Sequence, residues 1–434
     1  MKSSGVEWIG EIPEDWDVTR SKNIFTQRSS RGNDVEEQLA ATQQHGMYPQ
    51  KLLEGVVQVK EDTDLQQFKT VHKNDYVISL RSFQGGFEMS DYEGVCSPAY
   101  QVFYNTIPIS YRYYKYLFKS DGFISKMNSL TVGIREGKNI QYKDFSNSPI
   151  IIPPKSTQQR IASYLDKKCS KIEETIQNQQ QVIEKLKAYK QSLITEAVTG
   201  KIKIQNGKVC GKYQSYKESK LKWLGDFKIP EVWNTIQVKS FVSIPVVDGP
   251  HESPELFDNG IPYISATAIE NSKIDFSLKR GFISEKYCDE CDKRYKPMRD
   301  DILMIKLGAT TGQVAIIDTD ERFNIWVPLA AIRCNKTIAL PKFVFYSFQS
   351  DYCLKQMEMS WTFGTQQTLG VSSIERLKIF LPNIETQKEI ADYLDKKCTA
   401  IDTAIEQKQN LIEKLTEYKK SLIYECVTGK KEVN

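Results

Sequence analysis

The segment Tyr164-Leu-Asp-Lys-Lys-Cys169 recurs without a change as Tyr393-Leu-Asp-Lys-Lys-Cys398 in the second half of the chain. The similarity runs without a gap from residues 153–201 to residues 382–430, and 28 of these 49 positions are identical. Identity over so long an ungapped stretch indicates an internal duplication. We therefore expect the fold to contain two copies of one element.

Each copy has the features of a long helix. Thr157 and Thr386 are placed to act as N-caps after prolines, and Glu389 would complete a capping box in the second copy. Gly200 and Gly429 are placed to end the two helices. The roughly 41 residues between these signals contain neither Pro nor Gly and predict a helix of ~60 Å.

Apolar residues recur in steps of four and three along both copies, which is the spacing of a heptad seam. A helix with one such stripe must bury it, and the nearest partner is its own repeat, paired antiparallel in the same chain. Gln179 and Lys190 interrupt the first seam, and Lys408 and Lys419 interrupt the second. These polar residues either fix the register of the pair or face solvent or another subunit. The predicted seam consists of Leu165, Ile172, Ile176, Ile183, Leu186, Leu193, Leu394, Ile401, Ile405, Ile412, Leu415 and Leu422.

A second similarity opens each half of the chain. Trp8-Ile-Gly-Glu-Ile-Pro-Glu-Asp-Trp16 is matched by Trp223-Leu-Gly-Asp-Phe-Lys-Ile-Pro-Glu-Val-Trp233. The interiors that follow, roughly residues 23–150 and 240–378, cannot be aligned by eye. Similar flanking segments thus enclose dissimilar interiors. A molecule that recognises two different targets at a fixed separation would need this arrangement. Drift within a duplicated enzyme would not obviously spare the helices.

The composition predicts a folded, multidomain chain that stays in the cytoplasm. At 434 residues, 40% of them hydrophobic, the chain exceeds one hydrophobic core and is too apolar to be disordered. It shows neither a signal peptide nor the ~18 consecutive apolar residues of a membrane span. Its nine cysteines lack a regular spacing, and the Cys288-Asp-Glu-Cys291 pair has no second ligand pair, so no metal site is predicted.

Positive charge is concentrated in one part of the chain. Residues 155–222 contain 15 Lys and Arg against 6 Asp and Glu, whereas the net charge of the whole chain is +4. A lysine-rich helix that keeps a solvated face and a segment that contacts phosphates explain this excess equally well.

Both interiors contain strand-like runs that enter polar loops marked by glycine, in residues 75–86, 131–140, 301–312 and 362–369. Basic, amide and hydroxyl side chains on such loops are the types that read base edges and hold phosphates, although ordinary surface loops have the same composition. The candidate DNA-contact residues are Arg81, Ser82, Gln84, Arg135, Lys138 and Asn139 in the first interior, and Lys306, Thr310, Thr311, Thr365, Gln366 and Gln367 in the second.

The sequence lacks several motifs that would indicate catalysis. It contains no GxxxxGK[ST] phosphate loop, no GxGxxG, no HExxH and no GxSxG, and no Asn/Asp-Pro-Pro-Tyr/Phe of the adenine-methyltransferase kind. A nuclease carboxylate cluster has too loose a pattern to be excluded in this way. No catalytic residue is predicted.

Several motifs together resemble the specificity subunit of type I restriction-modification systems, over essentially the whole chain. They are the Gly-x-Ile-Pro-x-x-Trp signature, which recurs with Lys228 inserted, the Pro-x-x-x-Thr-Gln entry to each helix, the Tyr-Leu-Asp and Ile-Glu-Lys-Leu segments, and the closing Val-Thr-Gly-Lys. In addition, residues 77–86 with Ser97-Pro-Ala-Tyr100 are similar to one version of the family's first target-recognition domain.

The resemblance implies that each variable domain reads one half of a bipartite, asymmetric site on double-stranded DNA, and that the helices set the gap between the halves. It also implies partners: two methyltransferase subunits that use S-adenosylmethionine to methylate adenine, and two motor-nuclease subunits that use ATP and Mg. This chain itself would then carry no cofactor and no catalysis. The alternatives are a coiled-coil adaptor that gathers two protein partners without DNA, and a self-contained nuclease or methyltransferase.

The predicted fold is α+β, with two mixed α/β target-recognition domains separated by two long helices that pair as an antiparallel coiled coil in a pseudo-two-fold repeat. The predicted division is a first recognition domain in residues 1–155, a first spacer helix in 156–200, a basic linker in 201–222, a second recognition domain in 223–381, and a second spacer helix with a tail in 382–434.

Overall fold

The computed structural model describes residues 1–32, 37–43, 45–53, 65–79, 86–130, 140–363 and 366–433. The chain forms two compact units, one of residues 1–180 with 409–434 and one of residues 181–408. Each unit therefore combines one of the two interiors with parts of both long helices. Within the described residues, no helix has the length and apolar character needed to cross a membrane.

In its described residues, the first interior consists of a series of short strands, followed by three short helices and a closing strand. In chain order its elements are β1 (Lys2–Ser3), β2 (Glu11–Ile12), β3 (Asp17–Arg20), β4 (Phe25–Gln27), β5 (Leu39–Thr42), β6 (Gly46–Pro49), β7 (Lys69–Val71), β8 (Tyr76–Ile78), β9 (Phe87–Met89), β10 (Gly94–Cys96), β11 (Gln101–Asn105), α1 (Tyr111–Phe118), α2 (Asp121–Ser129), α3 (Tyr142–Asn147) and β12 (Pro149–Ile152).

The first long helix is α4 (Lys155–Val198), and the linker after it contains β13 (Lys203–Gln205), β14 (Lys208–Gly211) and β15 (Tyr216–Glu218). The second interior and second long helix contain β16 (Lys228–Pro230), β17 (Asn234–Gln237), β18 (Val247–Asp248), β19 (Ile261–Ile264), β20 (Ile269–Glu270), β21 (Lys273–Ile274), β22 (Gly281–Ile283), α5 (Glu285–Arg294), β23 (Ile302–Ile305), β24 (Val314–Ile316), β25 (Asn324–Ile325), β26 (Leu329–Ile332), α6 (Pro341–Gln349), α7 (Asp351–Glu358), β27 (Thr362–Phe363), β28 (Gln367–Thr368), α8 (Val371–Arg376), β29 (Lys378–Leu381) and α9 (Ile384–Val427).

Each interior contains its own four-stranded sheet, and the two sheets have the same topology, a similarity that the sequence comparison did not detect. The first contains a four-stranded sheet in the order β4-β11-β8-β9, and the second contains one in the order β18-β26-β23-β24. In both, the strand that opens the interior pairs with the strand that closes it, β3 with β12 and β17 with β29. The duplication therefore extends through the interiors, because strand order can persist where only the apolar alternation of a strand is constrained.

The core of each unit lies between this sheet and the helices. In the first unit the rings of Tyr76 and Phe103 from the sheet are stacked, and Phe25 packs edge-to-face against both, with ring centroids 5.4–5.6 Å apart. In the second unit Trp233 and Phe343 belong to one buried cluster with the strands and with α4 and α9.

The two long helices have 44 residues each, which corresponds to about 66 Å. They begin before the predicted caps. The side chain of Asn383 accepts a hydrogen bond from the backbone N–H of Thr386 at 2.9 Å, so Asn383 is the N-cap of α9. Thr157 likewise lies inside α4. The predicted caps were wrong because the helices begin directly after Pro154 and Asn383, one turn or less before the two threonines.

The predicted capping box in α9 is also wrong. Glu389 accepts a hydrogen bond from the backbone N–H of Asn206, at 3.3 Å, in the hairpin between β13 and β14. This residue therefore ties the linker to the start of α9 within the second unit.

The antiparallel pairing of the helices is confirmed inside each unit. In the first unit, apolar residues of α4 from 161–176 share a core with residues 415–427 of α9. In the second unit, residues 186–198 of α4 share a core with residues 390–405 of α9. All twelve seam residues are buried or half-buried.

Two of the polar interruptions in the seam pair with acids of the other helix. The Nζ atom of Lys419 lies 2.5 Å from Glu173 in the first unit, and that of Lys190 lies 2.7 Å from Asp402 in the second. The two pairs occupy equivalent positions in the internal repeat. Partly exposed pairs of this kind contribute ~1 kcal/mol or less, so they favour one register more than they stabilise the helices.

Each helix ends on a glycine that packs against an opening signature. Gly429 has φ of 74°, and a Cβ atom there would lie 2.4 Å from Pro13 and 3.1 Å from the Trp16 ring. Gly200 has φ of 71°, and its Cβ would lie 2.4 Å from Pro230. The first interior is thus seated on the end of α9, which comes last in the chain.

Replacing Gly200 by alanine should lower the free energy of unfolding by about 2 to 4 kcal/mol, because it adds left-handed backbone strain to an overlap with Pro230. Gly207→Ala is the matched control, since Gly207 has φ of 69° and no atom lies within 4 Å of the position that a Cβ would take there. Urea denaturation of the full chain measures both. Equal losses in the two variants would show that the contact with Pro230 contributes nothing.

Candidate nucleic-acid interface

The six candidate residues of the first interior lie outside the residues that the structure describes: Arg81, Ser82, Gln84, Arg135, Lys138 and Asn139. The described residues on either side of Arg81, Ser82 and Gln84 form a closed hairpin base, because the backbone N–H of Ser79 donates to the carbonyl of Gly86 at 2.8 Å, directly beyond the pairing of β8 with β9. The assignment of these residues to DNA contact stays a prediction.

In the second interior the structure brings the two predicted loops together. The backbone N–H of Gly308 donates to the carbonyl of Gln367 at 3.0 Å, and that of Leu369 donates to the backbone carbonyl of Lys306 at 2.8 Å. Leu307 and Thr368 form a β-bridge between the same segments. Two segments that are distant in sequence therefore form one surface.

The candidate side chains on this surface differ in accessibility. Thr310 and Gln366 are exposed and Gln367 is half-buried, so their polar groups face solvent or line the loop surface. Thr311 is buried, and its hydroxyl donates to the carbonyl of Gly308 at 2.7 Å, which closes the turn. Thr365 lies outside the described residues.

Lys306 is held inside the domain by an acid. Its side chain is 9% exposed, and its Nζ atom lies 2.9 Å from Oδ2 of Asp248 on β18. Because the ammonium is buried and already paired, this arrangement does not favour a direct contact between Lys306 and a base or phosphate. The geometry favours a role for Lys306 in holding the loop that follows it.

Asp248 also contacts Arg294 and His251, two residues that the sequence analysis did not select. Its Oδ1 atom accepts a hydrogen bond from Arg294 at 2.6 Å, and its Oδ2 lies 3.2 Å from the ring of His251. Burial alone would raise the pKa of Asp248, but the hydrogen bond from Lys306 and the charges of Lys306 and Arg294 lower it overall. The carboxylate therefore stays ionised at neutral pH.

The side chains of Arg294 and His251 are 54% and 70% exposed, respectively, so the guanidinium charge of Arg294 and the ring nitrogens of His251 are accessible to solvent. Residues 248–251 read Asp-Gly-Pro-His, a polar segment marked by glycine and proline that could have been selected by the same compositional rule. Asp248, Gly249 and Pro250 border a cavity of about 220 Å³ that is also lined by Arg294 and Asn324. This cluster is the functional candidate that the sequence analysis missed.

The CxxC pair lies in the same domain and is buried. Cys288 and Cys291 are on α5, and burial raises the pKa of the Cys288 thiol to about 11. Across the part of the chain that the structure describes, no group of three or more His, Cys, Asp and Glu side chains could hold a metal ion.

A buried acid flanks the loop region of the first interior. The side chain of Glu88 on β9 is 4% exposed and pairs with Lys119. Burial raises the pKa of Glu88 to about 7, although Lys119 acts in the opposite direction.

The stability of the first unit should therefore depend on pH through Glu88. Because the folded chain binds this proton more tightly than the unfolded chain does, the contribution is complete below about pH 4.5 and is lost as the pH rises through about 7. The loss amounts to about 3 kcal/mol at most. Glu88→Gln should remove this slope in urea denaturation measured from pH 4.5 to 8, whereas the exposed Glu11→Gln should leave it unchanged. A slope that persists in Glu88→Gln would contradict the assignment.

The family described as the type I restriction modification DNA specificity domain matches two segments of the chain, residues 13–188 and 230–415. These segments cover most of the chain, and each contains one interior with the larger part of the helix that follows it. The chain belongs to this family and contains two copies of its domain.

Two curated relatives are named as specificity subunits of type I restriction enzymes. The chain is 23% identical over 310 residues to the specificity subunit of the type I restriction enzyme EcoBI from Escherichia coli. It is 25% identical over 297 residues to that of the enzyme MjaVIII from Methanocaldococcus jannaschii. The alignments cover 71% and 67% of this chain, and the chain spans 63% and 64% of the length of the two relatives.

Solved structures share the fold. A chain from a study of complex assembly and conformational transition of the type I R-M system matches with a TM-score of 0.69 and 14% identity, over 97% of this chain and 100% of that one. The HsdS subunit from Thermoanaerobacter tengcongensis matches with a TM-score of 0.50 and 13% identity, over 97% and 98%. The α+β fold with an internal repeat and paired long helices is thereby confirmed.

Proposed function

We propose that this chain is the DNA-specificity subunit of a type I restriction-modification complex, in which each interior reads one half of a bipartite, asymmetric site. One observation carries the proposal: two units share a strand order and helix frame but differ in their loops. Two similar scaffolds with different loops suit the recognition of two different short sequences. The membership of the family and the names of the relatives support the same conclusion.

The long helices would set the gap between the two half-sites. The units are joined covalently only at residues 180–181, inside α4, and 408–409, inside α9. Since a paired helix is stiff over this length, it suits the role of a spacer better than a flexible linker would. The comparisons offer nothing in favour of the protein-only adaptor.

The chain itself would catalyse no reaction. Methylation of adenine with S-adenosylmethionine and cleavage driven by ATP with Mg are assigned to two methyltransferase and two motor-nuclease subunits. The repeat supports this stoichiometry, because two copies of one helical frame can present equivalent surfaces to two copies of one partner.

Methylome sequencing of cells that produce this chain with its methyltransferase tests the proposal. We expect one bipartite motif with a constant gap. Gln366→Ala, on the described loop surface, should relax one position of one half-site, by the roughly 1 to 3 kcal/mol that a base contact contributes to discrimination. Gln407→Ala, an exposed glutamine on α9, is the control and should leave the motif unchanged. Methylation without any sequence motif would refute the proposed function.

A further inference from the structure

The aspartate of the first Tyr-Leu-Asp segment joins the recognition domain to its helix. Asp166 on α4 accepts a hydrogen bond from Arg112 at 2.8 Å through Oδ2 and one from the hydroxyl of Tyr116 at 2.9 Å through Oδ1. Arg112 and Tyr116 are four residues apart on α1 and therefore lie on one face of that helix. Both oxygens of the Asp166 carboxylate thus accept hydrogen bonds from the first recognition domain.

The second unit repeats this arrangement with a different cation. Asp395 on α9 accepts a hydrogen bond from the hydroxyl of Tyr346 at 2.8 Å and pairs with Lys342. Lys342 and Tyr346 are again four residues apart, here on α6. The aspartate and the tyrosine are common to both units, whereas the cation differs between Arg and Lys.

A buried glutamine two turns earlier adds a third contact in each unit. Gln158 accepts a hydrogen bond from the backbone N–H of Ser110, and Gln387 accepts one from Leu340, both at 2.8 Å. Gln158 is 2% exposed and Gln387 is fully buried. Because they bind the backbone just before α1 and α6, these contacts place no demand on the identity of the domain's side chains.

These polar contacts differ in kind from the apolar contacts around them. Apolar packing is non-directional, whereas hydrogen bonds to two oxygens of one carboxylate depend on the angle between the helices. The side chains of Arg112 and Asp166 are 65% and 35% exposed, and pairs at such exposure contribute little to stability. We therefore expect these contacts to act mainly on the orientation of the recognition domain relative to its long helix.

We propose that Asp166 and Asp395 are positioning residues that fix the angle at which each recognition domain sits on its helix, and that each accepts any domain whose helix offers a cation and, four residues later, a tyrosine. This inference rests on the proposed function, since its consequence is a constant gap between the half-sites. A domain that rocks on its helix would reach its half-site at more than one spacing.

The test compares the methylomes directed by the full chain and by Asp166→Ala, with Glu174→Ala as the control, an exposed acid on the same helix. For Asp166→Ala we expect at least a tenfold rise in methylation of sites that keep both halves but have a gap changed by one base pair, with a melting temperature close to that of the control. Asp395→Ala should act in the same way. An unchanged gap distribution, or a loss of melting temperature without any change in the gap, would overturn the inference.

The natural difference between the two units supplies a rescue test. Arg112→Lys should keep the constant gap, because the second unit uses Lys at the matching position, whereas Arg112→Glu should broaden the gap as Asp166→Ala does. If Arg112→Lys broadens the gap as much as Arg112→Glu, the inference that Arg and Lys are interchangeable at this position is refuted.

Failure of the proposed function is distinguishable from failure of this inference. If the unmodified chain directs no bipartite methylation, the proposed function fails. Hydrogen exchange then tests separately whether Asp166 holds α1 in place. Asp166→Ala and Tyr116→Phe should each speed amide exchange in α1, and the double variant should add nothing further. Unchanged exchange, or effects that simply add, would overturn the role of Asp166.

Discussion

Replacing Asp248 by asparagine is expected to lower the free energy of unfolding of the second unit by about 3 to 5 kcal/mol, because it leaves the ammonium of Lys306 buried without its counter-charge. Lys306 and Asp248 have side chains that are only 9% and 8% exposed. Solvent therefore cannot replace the missing partner. Urea denaturation of the full chain measures the loss, and hydrogen exchange at β18 and β23 assigns it to this unit.

The double variant distinguishes a structural lysine from a DNA-reading one. Adding Lys306→Met to Asp248→Asn removes both charges and should restore stability to within about 1 kcal/mol, since a buried pair is often replaceable by apolar groups. If Lys306 only holds the loop that follows it and does not contact DNA, the double variant should methylate the same DNA sequence as the unmodified chain. Restored stability with a relaxed half-site would instead favour the direct DNA contact that the sequence predicts for Lys306.

Lengthening both helices by four residues, after Gln180 in α4 and after Gln409 in α9, is expected to lengthen the gap between the half-sites and to leave both halves unchanged. Four residues add about 6 Å of helix, close to the rise of two base pairs. The two insertion points are equivalent in the repeat, and each lies at or within one residue of a place where the units are joined. Both helices grow equally, so the paired seam remains matched.

The measurement is again the methylome, with two controls. Replacing residues 177–180 and 406–409 by other helix-forming residues, without a change in length, should leave the parental gap. Insertion into α4 alone should destabilise the pair rather than lengthen the gap, because it mismatches the seam. Recovery of the parental gap after both insertions would refute the spacer role of the helices.

The helices were predictable because their signals are local. The repeat, the seam and the glycine ends all lie within a few residues of the structure that they determine. The N-caps were misplaced because Asn383 and Thr386 are both good cap residues within one turn, and only the observed hydrogen bond distinguishes them.

The interiors and the candidate site were less predictable because their contacts are distant in sequence. Lys306 looked available for DNA, but its partner Asp248 lies far from it in the sequence, and no local signal indicates that the two side chains meet. The shared strand order was invisible for a related reason, since sheet pairing constrains apolar character and not identity. The pairing of residues 306–308 with 367–369, two loops that composition selected separately, was likewise not predictable from the sequence.

The seating of the first interior on the end of α9 has a consequence for synthesis. The hydroxyl of Tyr424 donates to the carbonyl of Trp8 at 3.1 Å, and that of Tyr113 donates to the carbonyl of Val427 at 2.8 Å. On the ribosome, the second unit emerges as one continuous segment, whereas the first must wait for the helix that completes it. The half of the molecule that is translated first is therefore the last to be finished, and a stop codon within α9 would damage the first domain, at the opposite end of the sequence.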